Sequence, residues 1–396
     1  MNSFEPAPIL LMVRSLDLGG SERQMAEVAK SIDRTRFAPH VGTFHPEGIR
    51  GDELRAAGVP ILHLPVTSFA SPSALRGGLE LIRYIRRHKI RMVHTFDVPL
   101  NVFAVPFARL AHLPVVLSSQ RAHRNLTPGL YTQLLRITDA MVDGIVVNCL
   151  HMRDHLISDE RFRPELIHLC YNGIDTGVFH PFAPEGEKPF PLSGAGTVIG
   201  VVCALRPEKG LSSLLDAFSR IARLYSGVTL AVVGSGPCLP DLLAQSDRLG
   251  IRDQCVFAPT TNNVAPWLRA FDIFVLPSLS EALSNSLMEA MACGCCCVAS
   301  AVGGNPELIG QDRRGVLFPT GDSSALADAL EVLLSQPGLQ RSYSAAALSF
   351  ITNQFSRESS IRRMSAIYSS FLEGELRAAS PSLKIQYQEQ GITYDE

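Results

Sequence analysis

The chain has 396 residues, of which 46% are hydrophobic and 19% are charged, and its formal net charge is -2. This length can bury two hydrophobic cores, because single domains usually hold about 100–200 residues. The near-neutral charge argues against a dedicated nucleic-acid binder, and no uncharged apolar run reaches the roughly 18–20 residues that a membrane-spanning helix needs. The first residues lack the basic start and apolar core of a signal peptide, so a cytoplasmic protein is expected.

Short apolar runs alternate with amphipathic stretches along the whole chain, which is typical of βαβ units and parallel sheets. A segment rich in Pro, Gly and Glu, residues 181–196, predicts a linker between two halves. Strands are predicted before it at residues 9–13, 38–43, 61–64, 92–95, 115–118, 144–147 and 166–169. After it they are predicted at residues 198–203, 229–233, 254–257, 273–276, 296–299 and 315–318. The pattern predicts an α/β protein with two Rossmann-like domains, whose ligands would lie beyond the carboxyl ends of the strands.

The most informative stretch is residues 281–294, which follows an apolar run from Phe271 to Leu276. Glu281 and Glu289 stand eight residues apart across a loop-to-helix junction, where Ser284 or Asn285 can cap the helix. Free amides at a helix start favour an anion, and carboxylates accept hydrogen bonds from sugar hydroxyls. Together these groups have the chemistry of a nucleotide-sugar site, although a bare pair of glutamates is more often a solvated helix face.

The residues around this pair resemble the retaining glycosyltransferases of family 4. Pro277-Ser278 precedes it, Ala290-Met291-Ala292 follows it, and Gly303-Gly304-Asn305-Pro306-Glu307 lies beyond. The family reads roughly Pro-Ser-x-x-Glu in this region, then Glu-Ala-Met-Ala-x-Gly and Gly-Gly-x-Pro-Glu. The resemblance implies the GT-B fold, in which two Rossmann-like domains face each other across a cleft.

The same resemblance implies a domain division. An acceptor-binding domain is expected over residues 1–185 and a nucleotide-sugar-binding domain over residues 196–355. A helix over residues 356–375 is expected to cross back onto the first domain, and residues 376–396 read as a polar tail.

The family pattern also assigns roles in the second domain. By the resemblance, Glu289 holds the ribose hydroxyls and Glu281 holds the hydroxyls of the donor sugar. The amides near Leu283, Ser284 and Asn285 would face phosphate and sugar. Glu307 is expected to support its loop rather than to contact the donor.

Arg206 and Lys209 follow the first strand of the second half, and two basic side chains at such a position can bind a diphosphate. The family lysine of Gly-Arg-Leu-x-Pro-Glu-Lys-Gly falls on Lys209, but the family arginine falls on Ala204. Arg206 stands two residues later and would restore the same face of an extended segment. Gly234 and Gly236 end the next strand and are expected either near the nucleotide or simply in a tight turn.

In the first half, Gly19 and Gly20 follow the first strand and resemble the family's Gly-Gly-x-Glu-Arg. Their amides, at a helix start, can approach a phosphate or the acceptor. His123 is a candidate for contact with the donor sugar or the incoming hydroxyl, although the family histidine comes about two residues earlier. An ordinary loop histidine is an equally good interpretation of His123, and His94 is expected to be a core histidine.

Two further motifs have structural interpretations beside functional ones. Residues 172–175 with Phe179 resemble an interdomain signature of the family, in which Asn-Gly makes a turn. A basic stretch extends from Arg76 to Arg91, with Leu79, Ile82, Ile85 and Ile90 expected to form a buried stripe. Its charged side is either solvated or rests on anionic lipid.

Nine cysteines include Cys293 and the run from Cys295 to Cys297. Consecutive residues of a strand point to opposite faces, so this run favours buried thiols over a metal site. No Asp-x-Asp metal motif is present, and neither a metal nor a resident cofactor is expected, the nucleotide sugar being a co-substrate.

The resulting hypothesis is a retaining, metal-independent transferase that moves a sugar from a nucleotide-sugar donor to an acceptor hydroxyl. The acceptor is expected to be a glycan or a lipid-linked intermediate in cell-envelope or exported polysaccharide synthesis. A GT-B epimerase or phosphorylase is one alternative. A non-catalytic nucleotide-sugar-binding protein is another, because Ala204 replaces the family arginine and Phe96 stands where family members often have a second histidine. Base recognition is expected from backbone groups of residues 258–263, and the sequence leaves the base and sugar open.

Overall fold

The structure is a computed structural model that describes residues 5–121, 129–182, 189–192, 194–310 and 313–379. Its two parallel sheets each have helices on their faces, which confirms the predicted α/β class. Within the described residues, no helix is long and apolar enough to cross a membrane.

The first sheet has seven strands in the order β3-β2-β1-β4-β5-β6-β7. These strands are β1 Ala7–Met12, β2 Phe37–Thr43, β3 Ile61–His63, β4 Met92–Thr95, β5 Val115–Gln120, β6 Gly144–Val147 and β7 Ile167–Leu169. The helices of this half are α1 Gly20–Ser31, α2 Ile49–Ala56, α3 Pro72–Arg87, α4 Val98–Leu110, α5 Gly129–Asp139 and α6 Leu150–Ser158. The order reverses at β1, so β1 and β4 form a topological switch point, where such sheets bind ligands.

The second sheet has six strands in the order β10-β9-β8-β11-β12-β13. These strands are β8 Thr197–Val202, β9 Val228–Val233, β10 Cys255–Ala258, β11 Ile273–Leu276, β12 Cys296–Ser300 and β13 Val316–Phe318. The helices are α7 Leu211–Leu224, α8 Leu239–Leu249, α9 Ala265–Arg269, α10 Asn285–Ala292, α11 Asn305–Ile309, α12 Ser323–Ser335, α13 Pro337–Gln354 and α14 Arg357–Ala379. Every strand predicted from the sequence is present, with ends within two residues of those expected, because buried parallel strands read as continuous apolar runs.

Helix α14 packs on the first sheet and continues to Ala379, past the expected end at residue 375. Tyr368 is fully buried there, with its ring 6.1 Å from that of Phe37. Its hydroxyl lies 2.7 Å from Nδ1 of His94, whose Nε2 is 2.9 Å from Ser119 Oγ. Burial lowers the pKa of His94 well below its usual value, so this histidine is a neutral core residue as expected.

The chain passes between the two halves twice, and the two passages are joined by hydrogen bonds. The amide of Ile174 donates to Phe355 O at 2.8 Å, and the amide of Arg357 donates to Ile174 O at 2.9 Å. The Arg357 guanidinium also pairs with Asp175 at 2.6 Å. A side chain at Gly173 would place its Cβ 2.8 Å from Arg357 Cα, so glycine is needed for this approach. These contacts support the structural interpretation of residues 172–175.

Helix α3 corrects the expected buried stripe of the basic stretch. Leu79 is 43% exposed rather than buried, and the buried face contains Gly77, Gly78, Leu81 and Ile85. A Cβ at Gly78 would lie 2.1 Å from Phe107 of α4, so the two glycines let the helices approach closely. This approach turns the glycine side of α3 inward and leaves Leu79 on the surface.

The cysteines are all free, and those of the run from Cys295 to Cys297 are buried. Burial raises the pKa of the Cys296 thiol to about 12, and it raises the pKa values of Cys295 and Cys297 well above the usual value of a thiol. Thiols in this state are poor nucleophiles and poor metal ligands, and they pack as small apolar side chains.

Candidate functional site

The start of α10 lies beyond the carboxyl end of β11, facing the first domain. Ser284 caps this helix, because its Oγ accepts a hydrogen bond from the amide of Leu287 at 3.3 Å. The helix follows from a run of good helix formers after a residue that prefers the cap position. The first amides of a helix have no partner within the helix, so those of Asn285 and Ser286 are expected to be available to an anion.

Glu281 is held in place by two side chains of its own domain. Its Oε1 accepts hydrogen bonds from Lys209 Nζ at 2.5 Å and from Ser278 Oγ at 2.8 Å. A Cβ at Gly303 would come within 2.0 Å of Glu281 O, and the amide of Gly304 donates to Ala282 O. The two glycines therefore let the following turn pack directly under the backbone that carries Glu281.

Lys209 and Arg206 differ in position. The Lys209 side chain is 22% exposed and bound to Glu281, as described above. The Arg206 side chain is 63% exposed, and its nearest acidic group is Glu208 at 3.9 Å. The structure thus brings Lys209 into contact with Glu281, whereas the acidic partner of Arg206 is Glu208.

Glu289 reaches across to the first domain. It is 4% exposed, and its Oε1 accepts a short hydrogen bond from the guanidinium of Arg23 on α1. The Arg23 guanidinium also lies 5.6 Å from the centre of the Phe179 ring. This contact could not be predicted from the sequence, in which only the position of Arg23 after Gly19-Gly20 draws attention to the residue.

Gly20 and Asn285 face each other between the two domains. A Cβ at Gly20 would lie 3.0 Å from Asn285 Nδ2, and Asn285 Oδ1 accepts a hydrogen bond from Asn172 Nδ2 at 2.9 Å. At Gly19, a Cβ would collide with the Glu22 carboxylate, which folds back over it. The two glycines thus make room for polar side chains at the expected phosphate position.

Gly234 and Gly236 have a clear packing role. A Cβ at Gly234 would lie 1.9 Å from Cys203 O, and one at Gly236 would lie 2.4 Å from Leu205 O. The turn is fixed by a hydrogen bond from the Leu205 amide to Ser235 O at 3.0 Å. Leu283 is buried beside the Gly303-Gly304 turn, with Cδ1 3.0 Å from where a Cβ of Gly304 would lie.

Glu307 supports a segment of the other domain rather than its own loop. Its carboxylate accepts hydrogen bonds from the amides of Leu150 and His151 at 2.9 and 2.8 Å, at the start of α6. The Tyr171 hydroxyl donates to the same carboxylate at 3.2 Å. A carboxylate at a helix start is favourable, because it satisfies free amides and interacts with the helix dipole.

Asp97 was not predicted from the sequence and lies at the switch point of the first sheet. It caps α4 by accepting from the amide of Leu100 at 3.0 Å, and it also accepts from the amide of Arg14 at 2.6 Å. Burial raises the pKa of Asp97 to about 6, and the nearby Glu22 carboxylate adds to the increase. Burial also raises the pKa of Glu22 itself.

His123 lies outside the described residues. Among the residues that the structure describes, no group of three or more His, Cys, Asp or Glu side chains is placed to hold a metal ion.

Family models match both halves of the chain. The model described as Glycosyltransferase Family 4 matches residues 18–178, and the model described as Glycosyl transferases group 1 matches residues 196–336. The chain belongs to glycosyltransferase family 4. The two matches lie on either side of the linker, and they contain Gly19-Gly20 in the first half and both glutamates of residues 281–289 in the second.

Similar proteins agree with this assignment. D-inositol 3-phosphate glycosyltransferase from Mycobacteroides abscessus is 34% identical over 204 residues, which cover 50% of this chain and 45% of that protein. N-acetyl-alpha-D-glucosaminyl L-malate synthase from Bacillus anthracis is 30% identical over 203 residues, with coverages of 51% and 53%. The chain thus spans about half the length of these curated relatives.

A solved structure confirms the GT-B fold. Anabaena Alr3699/HepE in complex with UDP and glucose superposes with a TM-score of 0.81 at 21% identity, covering 91% of this chain and 99% of that one.

Proposed function

We propose that this family 4 member is a retaining glycosyltransferase that transfers a sugar from a nucleotide-sugar donor to an acceptor hydroxyl without a metal ion. The observation that carries the proposal is the arrangement of residues 281–289. One glutamate is bound to Lys209, the other faces the first domain, and the capped start of α10 lies between them.

The leaving diphosphate would be stabilised by the Lys209 ammonium and by the free amides at the start of α10. Fixed donors that meet developing charge are usually the largest contribution to catalysis. The acceptor hydroxyl attacks the anomeric carbon on the face that the diphosphate leaves. The carbon–oxygen bond to the diphosphate breaks, a new one forms to the acceptor oxygen, and the hydroxyl proton passes to a phosphate oxygen.

In this proposal Glu281 positions the donor sugar and does not attack it. Two donors, Lys209 and Ser278, already share one of its oxygens, which leaves the other oxygen for a sugar hydroxyl. Glu289 would accept hydrogen bonds from the ribose, and its partner Arg23 would then move or share the carboxylate. We propose that backbone groups of residues 258–263 recognise the base.

The acceptor is proposed to be a glycan or lipid-linked intermediate, in cell-envelope or exported polysaccharide synthesis. The names of the two relatives above contain an inositol phosphate and a malate, so acidic small molecules are compatible with this family. The structural neighbour was solved with UDP and glucose, which makes UDP the first nucleotide to test.

The donor site can be tested with a thermal-shift panel of UDP, GDP, ADP and TDP and their common sugar conjugates, without added metal. We expect one base to raise the melting temperature, because a ligand that binds only the folded state stabilises it. Glu289→Gln should weaken binding of that nucleotide about 10-fold, because a charge-assisted hydrogen bond to ribose becomes a neutral one.

Glu331→Gln is the control, because Glu331 is a partly exposed, ion-paired glutamate on α12, in the same domain as Glu289. A folded wild-type protein that responds to none of the nucleotides would contradict the proposed function. Unchanged affinity in Glu289→Gln would contradict the ribose assignment alone.

We also propose that α3 contacts anionic membrane beside a lipid-linked acceptor. Leu75 and Leu79 are 61% and 43% exposed on this helix. Exposed arginines accompany them at positions 76, 83, 86 and 87. Apolar side chains next to basic ones are the combination that binds lipid interfaces.

Sedimentation with vesicles of phosphatidylcholine and phosphatidylglycerol tests this surface. Leu75→Ser with Leu79→Ser should lower vesicle binding about 10-fold or more, because two exposed leucines lose their transfer free energy to lipid. Leu224→Ser, at a 57% exposed leucine of the second domain, should leave binding unchanged. Wild-type protein that stays in the supernatant at low salt would rule the proposal out.

A further inference from the structure

The guanidinium of Arg121, at the carboxyl end of β5, has no counter-charge among the residues that the structure describes. Its Nη1 donates to Asn172 Oδ1 at 2.7 Å, while its Nε is buried without a hydrogen-bond partner among the described residues. None of the described carboxylates forms an ion pair with it. The groups whose negative charge would favour the guanidinium are Cys170 and Tyr368, but burial raises the pKa of both. Both are therefore neutral at pH 7.

Such a charge is costly unless something compensates it. Taking an ion out of water without a partner is strongly unfavourable. The ring of Phe96, 4.9 Å from the guanidinium carbon, compensates only part of this cost. The preceding residue also lacks an acceptor, because Gln120 is 1% exposed and its Nε2 has no hydrogen-bond partner in the part of the chain that the structure describes. Two adjacent residues thus present buried donors to which the described residues supply too few acceptors.

The position of Arg121 points to the cleft. Asn172 Oδ1 accepts a hydrogen bond from Arg121, and Asn172 Nδ2 donates one to Oδ1 of Asn285. Asn285 is the first residue of α10. One asparagine side chain therefore separates the guanidinium from the helix start where phosphate is proposed to bind. Lys209 approaches this region from the second domain, whereas Arg121 approaches it from the first.

We propose that Arg121 binds an anionic group, a phosphate or a carboxylate, that a substrate brings into the cleft. The group is either the diphosphate of the donor or an acidic substituent of the acceptor. This inference rests on the proposed function only in taking the cleft as the substrate site.

Titration calorimetry distinguishes the two sources. The nucleoside, its monophosphate and its diphosphate are titrated into wild type, Arg121→Met and Arg121→Lys, using the base selected by the thermal-shift panel. Inorganic phosphate is then titrated into each protein saturated with the nucleoside diphosphate. Arg109→Met is the control, because Arg109 is a half-buried, ion-paired arginine of the same domain near the C-terminal end of α4.

If Arg121 binds the donor, Arg121→Met lowers the affinity for the nucleoside diphosphate 10- to 100-fold and leaves the affinity for the nucleoside unchanged. If it binds the acceptor, diphosphate affinity is unchanged and the binding of inorganic phosphate to the complex is lost. Arg121→Lys should lie between wild type and Arg121→Met, because it keeps a charge without the planar donors. Unchanged nucleoside affinity also shows that the variant is folded.

The proposal is overturned if Arg121→Met matches wild type and Arg109→Met for both the diphosphate and inorganic phosphate. A failure of the proposed function has a different signature, since no nucleotide would then bind wild type. Inorganic phosphate titrated into the free proteins would in that case still decide whether Arg121 is an anion site.

Discussion

Replacing Lys209 by methionine is expected to lower the rate constant of sugar transfer by about 100- to 1,000-fold, the range found when one fixed donor to developing charge is removed. The ammonium lies in the donor domain, bound to Glu281, and would face the diphosphate as its bond to the sugar breaks. Single-turnover measurements at saturating donor separate this effect from any change in donor affinity.

Glu281→Gln should show a loss of similar size, because the sugar is then held less well and Lys209 loses its partner. The double variant should be little worse than either single one, since the two residues act as a unit. Lys30→Met is the control, because Lys30 is also an ion-paired lysine, on α1 of the first domain. Transfer at the wild-type rate in Lys209→Met would refute the assigned role.

Tyr368→Ala is expected to destabilise the protein by about 3–5 kcal/mol, the usual cost of removing a large aromatic side chain from a core. Tyr368 joins α14 to the first sheet through Phe37 and through its hydrogen bond to His94. Tyr368→Phe removes only the hydrogen bond and should cost about 1 kcal/mol.

Urea unfolding, combined with limited proteolysis of α14, measures both changes. Ser370→Ala is the control, because Ser370 is exposed on the same helix. Equal stability of Tyr368→Ala and Tyr368→Phe would show that the ring does not anchor the helix.

The strands and the local geometry around α10 could be predicted from the sequence, because each depends on residues close together in the chain. Ser284 caps its helix through neighbours three residues away, and parallel strands appear as apolar runs. The Lys209–Glu281 contact was accessible only through the family pattern, which placed both residues beside one ligand.

Contacts between the domains could not be predicted, because they depend on how two separately folded surfaces meet. Arg23 and Glu289 are 266 residues apart, and Glu307 reaches the start of α6 from 157 residues away. The exposure of Leu79 has a different cause, since the rotation of α3 is set by the contact of Gly78 with Phe107. The periodic pattern of apolar residues in the sequence holds no information on that contact between two helices.

The joined passages at Ile174 and Arg357 restrict how the two halves can move. Two domains joined by a single flexible linker could reorient freely. Two crossing segments that are hydrogen-bonded to each other are expected to act together as one hinge. A rotation of one half about these crossings would separate Arg23 from Glu289 and Asn172 from Asn285, and it would also break the hydrogen bonds of Glu307 with the start of α6. We expect substrate to enter and leave by such a rotation, whose rate would then set an upper limit on turnover.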